Sequence, residues 1–98
     1  GVGTLIGLAT RLLVPAGGRL AFIAPTARDA EIDFMLATAR LYPRRITRLR
    51  QRAARPLKRT LWEARREDGP TESGEIVISL DDGAYTPAYS SLTGQFYL

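Results

Sequence analysis

The side chains that could do chemistry in this chain are almost all cationic. Between Arg44 and Arg66 the sequence RRITRLRQRAARPLKRTLWEARR holds ten of the fourteen basic residues and a single acid, Glu63. The local formal charge is +9, whereas the 98-residue chain carries +4 in total. Guanidinium and ammonium groups bind phosphates and carboxylates through charge-assisted hydrogen bonds, so the chemistry on offer is anion binding. The run is interrupted by Ile46, Leu49, Leu57, Leu61 and Trp62, which a disordered basic tail would not need. It is expected to form two paired strands with a positive rim, against the plainer alternative of arginines that simply face water.

Other reaction centres are hard to assemble. The chain has no cysteine and no histidine, which excludes disulfides, thiolate zinc sites, Ser-His triads and Cys-His nucleophiles. Gly1-Val2-Gly3 looks like a fragment of a dinucleotide fingerprint, but no strand precedes it and the third glycine is absent. Asp81 and Asp82 adjoin in a turn signal, where carboxylates are ordinarily solvated, and no metal is expected. The residues alone therefore describe an anion-binding half of an α/β sheet with no reaction centre.

The elements that must carry the basic run follow from periodicity. Leu5, Leu8, Ala9 and Leu12 share a helix face over Thr4 to Val14, and Pro15-Ala16-Gly17-Gly18 should stop that helix. Arg19 to Ala24 is nearly all apolar, as in a strand covered on both faces, and Pro25 ends it. Thr26 and Asp29 form an imperfect capping box before a helix of about four turns with Ile32, Met35, Leu36 and Ala39 on one face; Phe34 is expected to pack. A strand from Ile46 should complete a right-handed β-α-β unit with its two strands parallel. RAARP at 52–56 turns the chain, and Leu57 to Ala64 returns antiparallel. Ligands of such sheets sit beyond the carboxyl ends of the parallel strands, which places Arg50, Arg52, Arg55, Lys58 and Arg59 on the binding edge. Six acids and no base then occupy Glu67 to Asp82, with EDGPTESG as a loop and Glu75 to Leu80 as a strand closed by Asp81-Asp82-Gly83. Thr86 caps a last helix with Pro87 in its first turn, and Tyr85, Tyr89, Leu92 and Phe96 form a docking stripe, not a base-stacking platform.

Composition sets the limits. A length of 98 residues makes one domain with a modest core, and 45% hydrophobic with 24% charged residues is ordinary for a folded chain. No apolar run approaches the roughly 20 residues that span a bilayer. The start lacks an initiating methionine, a basic n-region and a cleavage site, so the chain is expected to begin inside a longer protein. A pI near 10.1 favours an anionic partner.

Three stretches together resemble a known family. Leu12 to Ile23, LLVPAGGRLAFI, is similar to the entry into the fifth strand of class I S-adenosylmethionine-dependent methyltransferases. Arg55 to Arg65, RPLKRTLWEAR, resembles the Pro-x-Lys-Arg strand of bacterial enzymes that methylate N6 of adenine 37 in a valine tRNA. Asp82-Gly83-Ala84-Tyr85-Thr86-Pro87-Ala88-Tyr89 and Leu92-Thr93-Gly94-Gln95-Phe96-Tyr97-Leu98 are similar to that family's C-terminal signature, the most specific of the three. The loop before the Lys-Arg pair, RQRAAR, departs from members richer in proline and glycine there.

The resemblance implies an α/β fold, the C-terminal portion of a Rossmann-like class I methyltransferase sheet, with residues 1–98 as a single fragment without the cofactor-binding half. It implies S-adenosylmethionine as the parent's cofactor, tRNA as partner and a cytoplasmic location. No catalytic or cofactor-binding residue is expected here; Arg50, Arg52, Arg55, Lys58 and Arg59 are expected to contact tRNA phosphates. The alternatives are a stand-alone RNA-binding module, or a dimerising one that self-associates through a truncated sheet edge.

Overall fold

A computed structural model describes residues 11–15 and 19–97. In chain order these form β1 (Arg11–Pro15), β2 (Leu20–Pro25), a 3-10 turn (Thr26–Arg28), α1 (Asp29–Thr38), β3 (Tyr42–Arg50), β4 (Leu57–Arg65), β5 (Glu72–Val77), α2 (Pro87–Thr93) and β6 (Phe96–Tyr97). The strands make one six-stranded sheet in the order β5-β3-β4-β2-β1-β6. Its two faces hold separate apolar clusters, because alternate residues of a strand point to opposite sides. Phe22, Ala24, Trp62 and Ala64 pack against Ile32 and Leu36 of α1. On the other face, Ala21, Leu49 and Leu61 pack with Leu92 of α2 and with Phe96. β2 reads as continuously apolar for this reason: Phe22 and Ala24 serve one layer while Ala21 serves the other.

The basic run folds as the expected hairpin. β3 and β4 pair antiparallel from Tyr42↔Arg65 to Arg50↔Leu57, joined by residues 51–56. The β-α-β expectation needs a correction. β2 and β3 do run in the same direction, since each is antiparallel to β4, but β4 lies between them and they are not neighbours. The return strand of the hairpin enters the gap and hydrogen-bonds β2 from Leu20↔Ala64 to Pro25↔Arg59. Leu61 and Trp62 explain the choice: β4 is apolar on both faces and is buried from Thr60 to Ala64, which only an interior position allows.

Several local expectations also shift. Arg11 to Val14 belong to a strand antiparallel to β2 and not to a helix; Gly1 to Thr10 and Ala16 to Gly18 lie outside the described residues. Thr26 starts a 3-10 turn, and its hydroxyl meets that of Thr60 at 3.0 Å without capping α1. α1 is ten residues long, shorter than four turns, and stops where Arg40 takes a left-handed conformation (φ 57°) and Leu41 N donates to Leu36 O at 2.9 Å. Phe34 does not pack: it is 72% exposed, because Ile32 and Leu36 set the buried face and Phe34 falls between them. β5 begins at Glu72, earlier than expected, and pairs parallel with β3 from Arg45↔Glu72 to Arg50↔Val77. The loop is thereby shortened to residues 66–71. Thr86 does cap α2, accepting from Tyr89 N at 3.1 Å, with Pro87 in the first turn. That helix ends at Thr93, so Phe96 reaches the core from β6.

Leu36→Ala should lower unfolding stability by about 2–5 kcal/mol through loss of buried contacts, while Phe34→Ser should stay within about 0.5 kcal/mol of the parent. Urea titrations of both variants check the assignment of the α1 faces.

Candidate nucleic-acid interface

Which arginines are available to a ligand depends on which are already engaged. Glu63 is 1% exposed and is gripped from two sides. Arg45 directs Nε to Glu63 Oε2 and Nη2 to Oε1 at 2.8 Å, and Arg19 Nε lies 2.9 Å from Oε1. Gln95 Oε1 accepts from Arg45 Nη2 at 2.8 Å and from Arg19 Nη2 at 3.5 Å. The hydrogen bond to Glu63 raises the Arg45 pKa above its ordinary value despite the opposing effect of burial, so this guanidinium stays charged wherever the fold persists. A bulge makes the pairing possible. Register shifts between Pro43 and Arg45, leaving Arg44 as the extra residue, so that Arg45 opposes Glu63. Arg44 turns outward and donates to Pro70 O and Glu67 O, both at 3.3 Å.

Other bases are committed as well. Arg48 meets Asp29 at 3.1 Å, tying β3 to the start of α1, and Arg28 meets Glu31 at 3.0 Å. Arg50 binds Glu75 through Nε at 3.0 Å and Nη2 at 2.6 Å, and its Nη1 donates to Arg55 O. Arg50 thus braces the hairpin tip from β5.

The remaining expected site residues come together. Arg52, Arg55, Lys58 and Arg59 line one open depression of about 490 Å³ with Leu49, Gln51, Pro56 and Ile78. Among the described residues no carboxylate lies within 4.0 Å of these four cations. All four are exposed. Lys58 and Arg59 are sequence neighbours and in a regular strand would face opposite sides. A second register shift occurs here, between Leu49↔Arg59 and Arg50↔Leu57, which leaves Lys58 as the extra residue and re-aims the pair. The depression sits at the carboxyl ends of β2, β3 and β5, as Pro25↔Arg59 and Arg50↔Val77 show. Its walls include Gln51 and Ile78, which the composition of the basic run did not single out. Ile78 is held there by donating its N–H to Arg50 O at 2.8 Å. The buried Glu63 cluster also went unforeseen; its only signal in the sequence is a lone acid among ten bases.

The depression can hold an extended polyanion by charge, with Gln51 as a neutral hydrogen-bonding group. Among the described residues no group of three acidic side chains could hold a metal ion, and no helix is long and apolar enough to cross a membrane.

No protein-family model matches the chain. Curated relatives do. A protein of Flavobacterium johnsoniae is 37% identical over 91 residues, 92% of this chain. One of Aeromonas hydrophila is 37% identical over 94 residues, 96% of this chain. Both are named tRNA1(Val) (adenine(37)-N6)-methyltransferase. The chain is homologous to part of these tRNA methyltransferases. It spans 39% of the length of each, in agreement with the partial coverage expected from its motifs.

Glu63→Gln should cost about 3 kcal/mol or more, since it leaves two partly buried guanidinium groups without a compensating charge. A urea midpoint lowered accordingly, against an unchanged midpoint for the exposed variant Glu67→Gln, checks this.

Proposed function

We propose that this chain is the C-terminal, substrate-binding portion of an S-adenosylmethionine-dependent tRNA adenine-N6 methyltransferase, within a Rossmann-like class I sheet, and that Arg52, Arg55, Lys58 and Arg59 hold the tRNA backbone. The observation that carries the reading is the sorting of the bases. Fold-stabilising carboxylates engage Arg19, Arg45, Arg48 and Arg50, while the four cations of the hairpin tip are left together around one depression at the carboxyl ends of co-directional strands. A binding edge of that kind is where open α/β sheets meet their ligands. The names of the relatives supply tRNA as the polyanion.

These residues would position, not react. Charge without a base-reading fork directed at a base edge favours backbone contacts, which orient a substrate and make affinity depend steeply on salt. Arg50 contributes indirectly by holding Arg55 in place through its backbone carbonyl. Methyl transfer to an adenine amine gains most of its rate from holding the two reactants in line, and the extruded base must be presented to the methyl donor. S-adenosylmethionine supplies an electrophilic methyl group on a sulfonium. The depression does not suit it: the charged groups there are all cations, which would repel the sulfonium, and no carboxylate stands ready for a ribose. The cofactor site is therefore assigned to the part of the parent beyond this chain. Isothermal calorimetry of the 98-residue chain with S-adenosylmethionine should show no binding at micromolar concentrations, and measurable heat would overturn this division.

Filter binding of the chain to tRNA should give a log K against log salt slope of about −3, the value for four phosphate contacts on unpaired RNA. Lys58→Glu with Arg59→Glu should flatten the slope by about two contacts. A slope near zero for the parent chain would remove the reading.

A further inference from the structure

Beside the cationic depression stands an aromatic pair that the docking-stripe expectation does not account for. Of that stripe only Leu92 and Phe96 are buried; Tyr85 is 65% exposed and meets Tyr89 with ring centroids 5.0 Å apart and planes tilted by 58°. The two rings are carried on a rigid support. Ser79 N donates to Gln51 O at 3.0 Å, and Gln51 also reaches Ser79 Oγ at 3.2 Å, so the segment after β5 is bonded to the wall of the depression. Ser79 in turn forms a bridge with Tyr85, and Thr86 N donates to Ile78 O at 2.9 Å. The turn between them is closed by Gly83 N to Leu80 O at 2.9 Å, Leu80 N to Ala84 O at 2.8 Å and Ala84 N to Asp82 Oδ1 at 2.9 Å. Gly83 takes φ 88°, which glycine alone adopts freely. Tyr85 thus lies two strand spacings, about 10 Å, from Gln51.

We infer that Tyr85, backed by Tyr89, is a stacking platform for an unpaired RNA base adjacent to the phosphates held by Arg52, Arg55, Lys58 and Arg59. This deepens the proposed function and rests on it. The charges partition the ligand. Asp81 and Asp82, in the turn just before Tyr85, disfavour phosphate there, whereas the charged groups lining the depression are all cations. A nucleotide can satisfy both by laying its neutral base on the ring and its backbone along the tip, and base stacking on exposed aromatics is the common mode for single strands. A duplex buries the base faces that the tyrosine would cover. The ligand class is therefore single-stranded or loop RNA.

The test uses the 98-residue chain and two RNAs of the same sequence, one single-stranded with 2-aminopurine at a central position and one annealed to its complement. Tyr85→Ala should weaken single-strand binding roughly 5- to 150-fold, abolish the 2-aminopurine stacking signal, and leave both the duplex affinity and the salt slope unchanged. Tyr85→Phe should restore the parent values. Since Tyr85 is exposed, both variants should keep the parent's circular dichroism and melting curve. If Tyr85→Ala binds the single strand as the parent does while Lys58→Glu with Arg59→Glu still loses salt dependence, the platform is refuted and the backbone reading stands. If the parent binds neither RNA, both fall.

Discussion

A single carboxylate organises the basic hairpin. Glu63 lies in the central strand β4, opposite Arg45 of β3 and Ala21 of β2, and is reached from the start of β2 by Arg19. A buried charge with several kcal/mol of desolvation to offset is tolerable only when it is paired and hydrogen-bonded; here Arg45 does both, Arg19 adds a second positive charge, and Gln95 accepts from the two guanidinium groups. Four parts of the chain that are distant in sequence are thereby brought to one point. The same neutralisation engages two arginines, whereas the four cations around the depression at the far end of the hairpin have no carboxylate partner among the described residues.

The hairpin thus uses the same residue types in two ways. Near Glu63, Arg19 and Arg45 are engaged by the fold, while Arg65 and Arg66 stay exposed. At the tip, Arg50 is consumed by Glu75, and its neighbours Arg52, Arg55, Lys58 and Arg59 are not. A net charge of +4 says nothing about this distribution. The acids of the 67–82 segment, which look like a separate acidic stretch in the sequence, contribute Glu75 to it by running alongside β3 in β5.

What could be read from the sequence follows a physical divide. The hairpin, the apolar strand before it, the Thr86 cap and the Asp81-Asp82-Gly83 turn were accessible because each depends on local periodicity or on one residue's backbone preference. The insertion of β4 between β2 and β3 was not, because strand order is a non-local choice that alternation does not encode. Phe34 and Tyr85 show a related limit. The expectation that Phe34 packs fails because α1 buries only the arc set by Ile32 and Leu36, and Tyr85, which its spacing assigns to the stripe of the last helix, lies before the Thr86 cap of that helix, bridged to Ser79. At the site, the type and location of the cations were evident in the sequence. Their division into engaged and available groups was not, since that needs the cross-strand register.

The two bulges that set this register have a consequence for how the tip can vary. Between them lies a regular ladder of five pairs, from Arg45↔Glu63 to Leu49↔Arg59. The distal bulge can absorb the gain or loss of one residue beside the tip without sliding that ladder, so the Glu63 clasp need not sense the change. The tip is in effect an exchangeable cassette on a registered stem. Its length and its proline and glycine content can change, and with them the shape of the depression, while the framework beneath stays put.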